Sequence, residues 1–204
     1  MKDKRELWLP VALMVAFALT RLPGVLPHNF SAAYALAFCA GVYLPRRMAW
    51  WLPFGVLLVT DIGLNLLIYK ASLINGWMLA NYVSYAAIIW LGQRFGSRGP
   101  WLGLLGGGLL GALLFYLVTN TAAWLSDPGY SKTLTGWFQA LTTGLPGFPP
   151  TWAFFWKTLA SGGLFTGLFA GAMKMAEQVE PEPEEETEPA SEEAEAPEAE
   201  ETKA

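Results

Sequence analysis

Six apolar runs, separated by short polar stretches, divide the first 176 residues: 7–20, 30–44, 50–69, 77–95, 101–119 and 152–173. Several are about as long as a bilayer is thick, roughly 20 helical residues. Inside lipid a run must satisfy its own backbone hydrogen bonds, so runs of this length read as helices. A water-soluble domain with so many apolar segments and no polar faces would be hard to keep in solution. The first two runs are short, which implies little tilt, extension into flanking residues or local thinning of the bilayer. Aromatic residues gather at the run ends (Trp8, Trp50, Trp51, Tyr69, Trp77, Trp101, Trp124, Trp152), where a ring sits at headgroup level. The expected fold is therefore an all-α polytopic membrane protein, a six-helix transmembrane bundle over residues 1–176.

Between the fifth and sixth runs, SKTLTGWFQALTTGLPG (131–147) carries a helix start at Ser131 and a stop at Gly144 and Pro146. Leu134, Phe138 and Leu141 share one face. This predicts a short amphipathic helix at the outer surface, either a lid or an interfacial segment with no gating role.

Charge sharpens the picture. Residues 1–176 carry twelve Lys or Arg against four acids, a formal +8; residues 177–204 carry thirteen acids and Lys203, a formal −12. The latter segment has almost nothing apolar to bury and reads as a disordered acidic tail. Lys2, Lys4, Arg5, Arg46, Arg47, Arg94, Arg98 and Lys174 fall on one side of the bundle, against Arg21, Lys70 and Lys132 on the other. The positive-inside rule then places both termini in the cytoplasm. Reading residues 7–19 as a cleaved signal peptide, with Ala16-Phe17-Ala18 as its site, is the alternative. It leaves an odd helix count and a less consistent charge pattern.

Polar residues inside the runs are few and uneven. In LVTDIGLNLL (58–67), Asp61 lies about 15 Å along the helix from Trp51, with Asn65 one turn further on the same face. In the same topology Asn81, Tyr82 and Tyr85 occupy the outer half of the fourth helix, Tyr116, Thr119 and Asn120 that of the fifth. Lys157, with Ser161 below it, lies in the sixth. Intramembrane charges are costly and mark a protein interior or an aqueous cavity. Asp61 and Lys157, one of each sign, are thus either a buried ion pair fixing the bundle or part of a polar cavity open to the outside. The inner halves hold mainly Leu, Ala, Gly and Val, and that asymmetry favours the cavity. Tyr82, Tyr85, Tyr116, Trp124 and Trp152 offer stacking surfaces for a flat ring.

Small residues recur four apart: Ala12 and Ala16; Ala33, Ala37 and Gly41; Gly103, Gly107 and Gly111; Gly163, Gly167 and Gly171. Such faces permit close helix approach within the bundle or against a partner.

Enzymatic chemistry finds little support. The single Cys39 excludes an internal disulfide and reads as a small buried hydrophobe. With His28 as the one histidine there is no zinc set, and no base for an intramembrane serine nucleophile. A membrane aspartyl protease needs two carboxylates, and only Asp61 qualifies. No phosphate-binding loop of the Walker type is present, so an ATPase, where one is needed, is another chain. No charged ring or continuous polar stripe crosses the inner half as a channel requires. No cofactor and no nucleic-acid partner is expected.

The stretch PHNFSAAYALAFCAGVYLPRR (27–47) resembles the second-helix signature of a group of bacterial six-helix membrane proteins described as candidate transport proteins. The resemblance extends to Asp61, to FYLVTNTAAWL (115–125) and to the GLP near residue 145. More distantly the chain resembles the substrate-binding S components of energy-coupling-factor transporters. That resemblance implies a multi-pass protein of the bacterial plasma membrane with a vitamin-sized pocket near the outer face. It also implies docking on a membrane coupling subunit, with separate ATPases, through small residues of the first helix, here Ala12 and Ala16. The group often carries a carboxylate in helix six where this chain has Gly162. The reading is a substrate-capturing transport subunit for a small organic nutrient, with Asp61, Asn65, Asn81, Tyr82, Tyr85, Tyr116, Thr119, Asn120 and Lys157 as its binding residues. A non-transporting membrane scaffold, using the small-residue faces and acidic tail, is the alternative.

Overall fold

The structure, a computed structural model, describes residues 4–22, 24–27, 30–70 and 76–179. Among these residues the chain is all-α, with seven helices and no strand. They are α1 (Lys4–Leu19), α2 (Ala33–Tyr43), α3 (Met48–Gly63), α4 (Gly76–Gly92), α5 (Trp101–Ser126), α6 (Leu134–Leu141) and α7 (Thr151–Val179). The α3 helix widens without interruption into a π-helical turn, Leu64–Tyr69. Lys70, in the left-handed conformation at φ 48°, closes that turn by donating its N–H to the Asn65 carbonyl.

Each apolar run is a helix, and the differences lie at the ends. Residues 120–126 contain no breaker, so α5 runs on to Ser126 and stops where Asp127-Pro128-Gly129 begins. Likewise α7 extends through Val179, three residues into the expected tail; the rest of that segment, and His28, lie outside the described residues. Two helices, Met48–Ile68 and Trp101–Ser126, are long and apolar enough to cross a membrane, with mean hydropathies of 1.8 and 2.0. Ala33–Tyr43 and Met78–Gly92 are apolar but shorter. Only 11% of the residues in the apolar window of Met48–Ile68 are buried, so little of this helix belongs to the core.

The core is built around α2, which touches α1, α3, α4, α5 and α7. Its AYALAFCAG sequence is almost wholly buried, Cys39 included. Small side chains on every face let five neighbours approach one short helix. The closest approach is the α2–α4 crossing: a methyl group at Gly41 would strike the Ile89 carbonyl, and one at Gly92 the Phe38 carbonyl. Across the bundle α5 packs on α7 through Gly108 against Thr166 and Gly162 against Ala112. Of the α5 stripe, Gly107 makes room for the Phe38 ring and Gly111 for Ile88.

The α6 helix begins at Thr133, whose Oγ1 accepts from the Gly136 N–H, two residues after the expected start. Gly144, at φ +70°, follows its end. Leu134 and Phe138 point outward, while Leu141 is half-buried. Tyr116 Oη donates to the Leu141 carbonyl at 2.5 Å, and Trp137 Nε1 to Thr121 Oγ1 at 2.9 Å. Trp124 Nε1 donates to the Ser131 carbonyl at 2.8 Å, and Lys132 caps the end of α5 through the Trp124 and Asp127 carbonyls. The segment is thus tied to α5 along its whole length.

Candidate functional site

Sequence and helical rise bring α1 and α3 into register. Arg21 stands seventeen residues past Lys4 and Asp61 thirteen past Met48, about 26 and 20 Å along helices that start at the same end. The Arg21 side chain spans that offset. Its Nη2 meets Asp61 Oδ1 at 2.5 Å, and its Nη1 donates to Thr60 Oγ1 at 2.5 Å and to the Leu57 carbonyl at 3.3 Å. Thr60 turns its own hydroxyl back onto the Val56 and Leu57 carbonyls, both at 2.9 Å. The second carboxylate oxygen, Asp61 Oδ2, accepts from Tyr82 Oη at 3.0 Å. One carboxylate therefore ties α3 to the end of α1 and to α4. The pair is not sealed: the side chains keep 17% and 16% of their surface accessible.

From Tyr82 a row of rings leads into the bundle. Tyr82 stacks on Phe54 with ring centres 5.7 Å apart and meets Tyr85 edge-on at 6.2 Å. Tyr85 stacks on Phe115 at 5.5 Å, and Phe115 packs on Tyr34 at 4.9 Å. The row ends at Ser161 on α7, whose Oγ lies 3.4 Å from Tyr34 Oη. Such contacts add to the burial of the rings themselves. They also make a nearly continuous aromatic wall from α3 through α4 and α5 to α2.

The expected binding residues divide into three groups. Asp61, Tyr82 and Tyr85 come together, with Asn65 and Asn81 beside them. Asn65 sits one turn beyond Asp61 and reaches Met78 Sδ at 4.0 Å, one turn from Tyr82 on α4. Asn81 is half-buried and makes no hydrogen bond among the described residues. A second group lies on α5, where Tyr116 reaches α6 and the other two bond back to their own helix. Tyr116 holds α6, Thr119 Oγ1 donates to the Phe115 carbonyl at 2.8 Å, and Asn120 Nδ2 to the Tyr116 carbonyl at 2.8 Å.

Lys157 stands alone. It is exposed on α7, and the partner of Asp61 is Arg21. The cause is angular: Thr158, Ser161, Gly162, Phe165 and Phe169 form the buried strip of α7, and Lys157 projects outside it. Gly162 lies within that strip, where a Cβ would come within 2.6 Å of Ala112 Cβ, so a carboxylate has no room there. Ala12 and Ala16 both lie exposed on the outer face of α1.

A cavity of about 670 Å³ opens elsewhere, between α5 and α7. Its lining is apolar, and none of the expected binding residues contributes to it. Among the described residues no group of His, Cys, Asp and Glu is arranged to hold a metal ion.

The chain belongs to DUF6580, a family of unknown function whose profile matches residues 1–184. No curated protein and no solved structure gives a match.

Proposed function

From a family that assigns no activity, we propose that this chain is a six-helix membrane protein that captures a small organic molecule at its outer face. The site is the region around Asp61 and Tyr82. The observation that carries the reading is an ion pair between apolar helices that keeps about a sixth of its side-chain surface accessible, flanked by two amides and opening onto a row of tyrosines. Ionisable groups at membrane depth are functional by default, and here they have both a hydrogen-bonding and a stacking surface beside them. The exposed apolar faces of α3 and α5 meet lipid in this reading, and Arg46, Arg47, Arg94, Arg98 and Lys174 face the cytoplasm. The α6 segment then lies at the outer interface as a fixed cover with Leu134 and Phe138 toward the headgroups. Resemblance to energy-coupling-factor S components adds an expected docking face for a coupling subunit at Ala12 and Ala16.

A scaffold reading has one observation in its favour. Arg21, Thr60, Asp61 and Tyr82 satisfy one another, as a purely structural tie between α1, α3 and α4 would. The experiment that separates the two is a thermal-shift screen of small metabolites on detergent-purified protein, wild type against Tyr82→Phe. Capture predicts at least one metabolite that raises the wild-type midpoint and raises that of the variant less. A scaffold predicts no stabilising metabolite in either sample.

A further inference from the structure

The groove between α5 and α7 has features that the proposed capture site does not use. Its walls are apolar, with Leu105 and Trp101 on α5 and Trp156, Leu164 and Leu168 on α7. Gly163 and Gly167 keep the α7 wall low between them. Trp101 closes the deep end by donating Nε1 to the Gly167 carbonyl at 3.3 Å. Lys157 does not line the groove but stands on α7 next to Trp156 and about one turn before Ala160, which do; it is exposed, and its ammonium has no hydrogen bond or ion pair among the described residues.

Leu164 and Leu168 follow Lys157 by seven and eleven residues, two and three helical turns, so all three lie on one strip of α7. Side chains on a helix lean toward its N-terminus. With cytoplasmic termini the N-terminal end of α7 is outermost, so the Lys157 stem rises along apolar surface toward the headgroups. From Lys157 to Leu168 is about 16 Å of helix, roughly half of a ~30 Å hydrocarbon core and so the depth of one leaflet.

We propose that this groove seats one phospholipid of the outer leaflet, its phosphate on the Lys157 ammonium and one acyl chain along Leu164 and Leu168 down to Trp101. The inference rests on the membrane-spanning reading above, and is independent of what Asp61 binds. An ammonium on a lipid-facing strip is costly unless an anion meets it, and at this depth the available anion is a lipid phosphate. Free phosphate would leave the apolar groove unfilled; a lipid fills both parts at once.

The test is native mass spectrometry of full-length protein titrated with phosphatidylglycerol. Wild type is compared with Lys157→Gln, which removes the charge, and Ala160→Trp, which fills the groove from an exposed position. Recovery of all three proteins in the membrane fraction, scored first, separates failure of the lipid site from failure of the membrane reading. The expected result is a lipid adduct in wild type whose apparent affinity falls about ten-fold in each variant, the loss of one charge-assisted contact or of the seat. Equal adducts in all three proteins would overturn the proposal. A fall in only one variant would overturn it too, since headgroup and chain are claimed to bind together. Inorganic phosphate competing as well as the lipid would show an ion site without an acyl seat, and contradict it as well.

Discussion

Arg21, just past the end of α1, holds the Asp61 carboxylate of α3 at 2.5 Å, while Tyr82 of α4 donates to the carboxylate's other oxygen. Three helices meet at one acid. Removing the cation leaves a largely buried carboxylate with only the Tyr82 hydroxyl against it. Arg21→Met is expected to cost about 3 kcal/mol, the low end for breaking a buried pair, because both side chains keep some exposure. The double variant Arg21→Met/Asp61→Leu should recover most of that loss. Thermal midpoints of the four proteins of the cycle, in one detergent, give the coupling directly. Additive effects would mean that the pair does not tie the helices.

The α2–α4 crossing is equally specific. Gly41→Ala drives a methyl group into the Ile89 carbonyl, and no side chain is available to yield. A loss of about 1–3 kcal/mol follows from overpacking. Gly106→Ala on α5 meets nothing within 4 Å and is expected to be neutral or slightly stabilising. Melting the two variants side by side checks both directions.

Tyr116→Phe tests whether α6 is held or free. Losing the hydroxyl bond to Leu141 should weaken the tether by about 1 kcal/mol, or roughly five-fold faster amide exchange over residues 134–141. Exchange that is already fast in wild type would favour a mobile lid.

Topology has its own test. A membrane-impermeant thiol reagent should label Thr143→Cys in intact cells and Arg98→Cys only after permeabilisation, both positions being exposed. The native Cys39, wholly buried in α2, should stay unlabelled until the protein is denatured. The reverse pattern would invert the assigned orientation.

Much of this architecture was legible. Runs of apolar residues and their aromatic ends located the helices, and Gly144 and Pro146 located the end of α6. The site was only half legible. In the sequence Arg21 reads as a loop charge, although its position just past α1 brings its side chain within reach of Asp61 on α3. The sequence alone puts Lys157 inward, because an all-apolar helix carries no contrast between its core and outward faces. Hydrophobicity cannot orient such a helix; the strip of Thr158, Ser161, Gly162 and Thr166 does, since small and polar side chains mark the packed side. The α2–α4 crossing needed Gly92 as well as Gly41, and Gly92 lies in no regular small-residue repeat.

The central claim is that the Asp61 region binds a small molecule. Native mass spectrometry of protein released from its own membranes in mild detergent, wild type beside Asp61→Asn, tests it most directly. A small-molecule adduct on the wild type that is lost in the variant, with both proteins folded, is the expected result. Bare protein in both samples, or an adduct that survives the substitution, would contradict it and leave Asp61 as the tie between α1, α3 and α4.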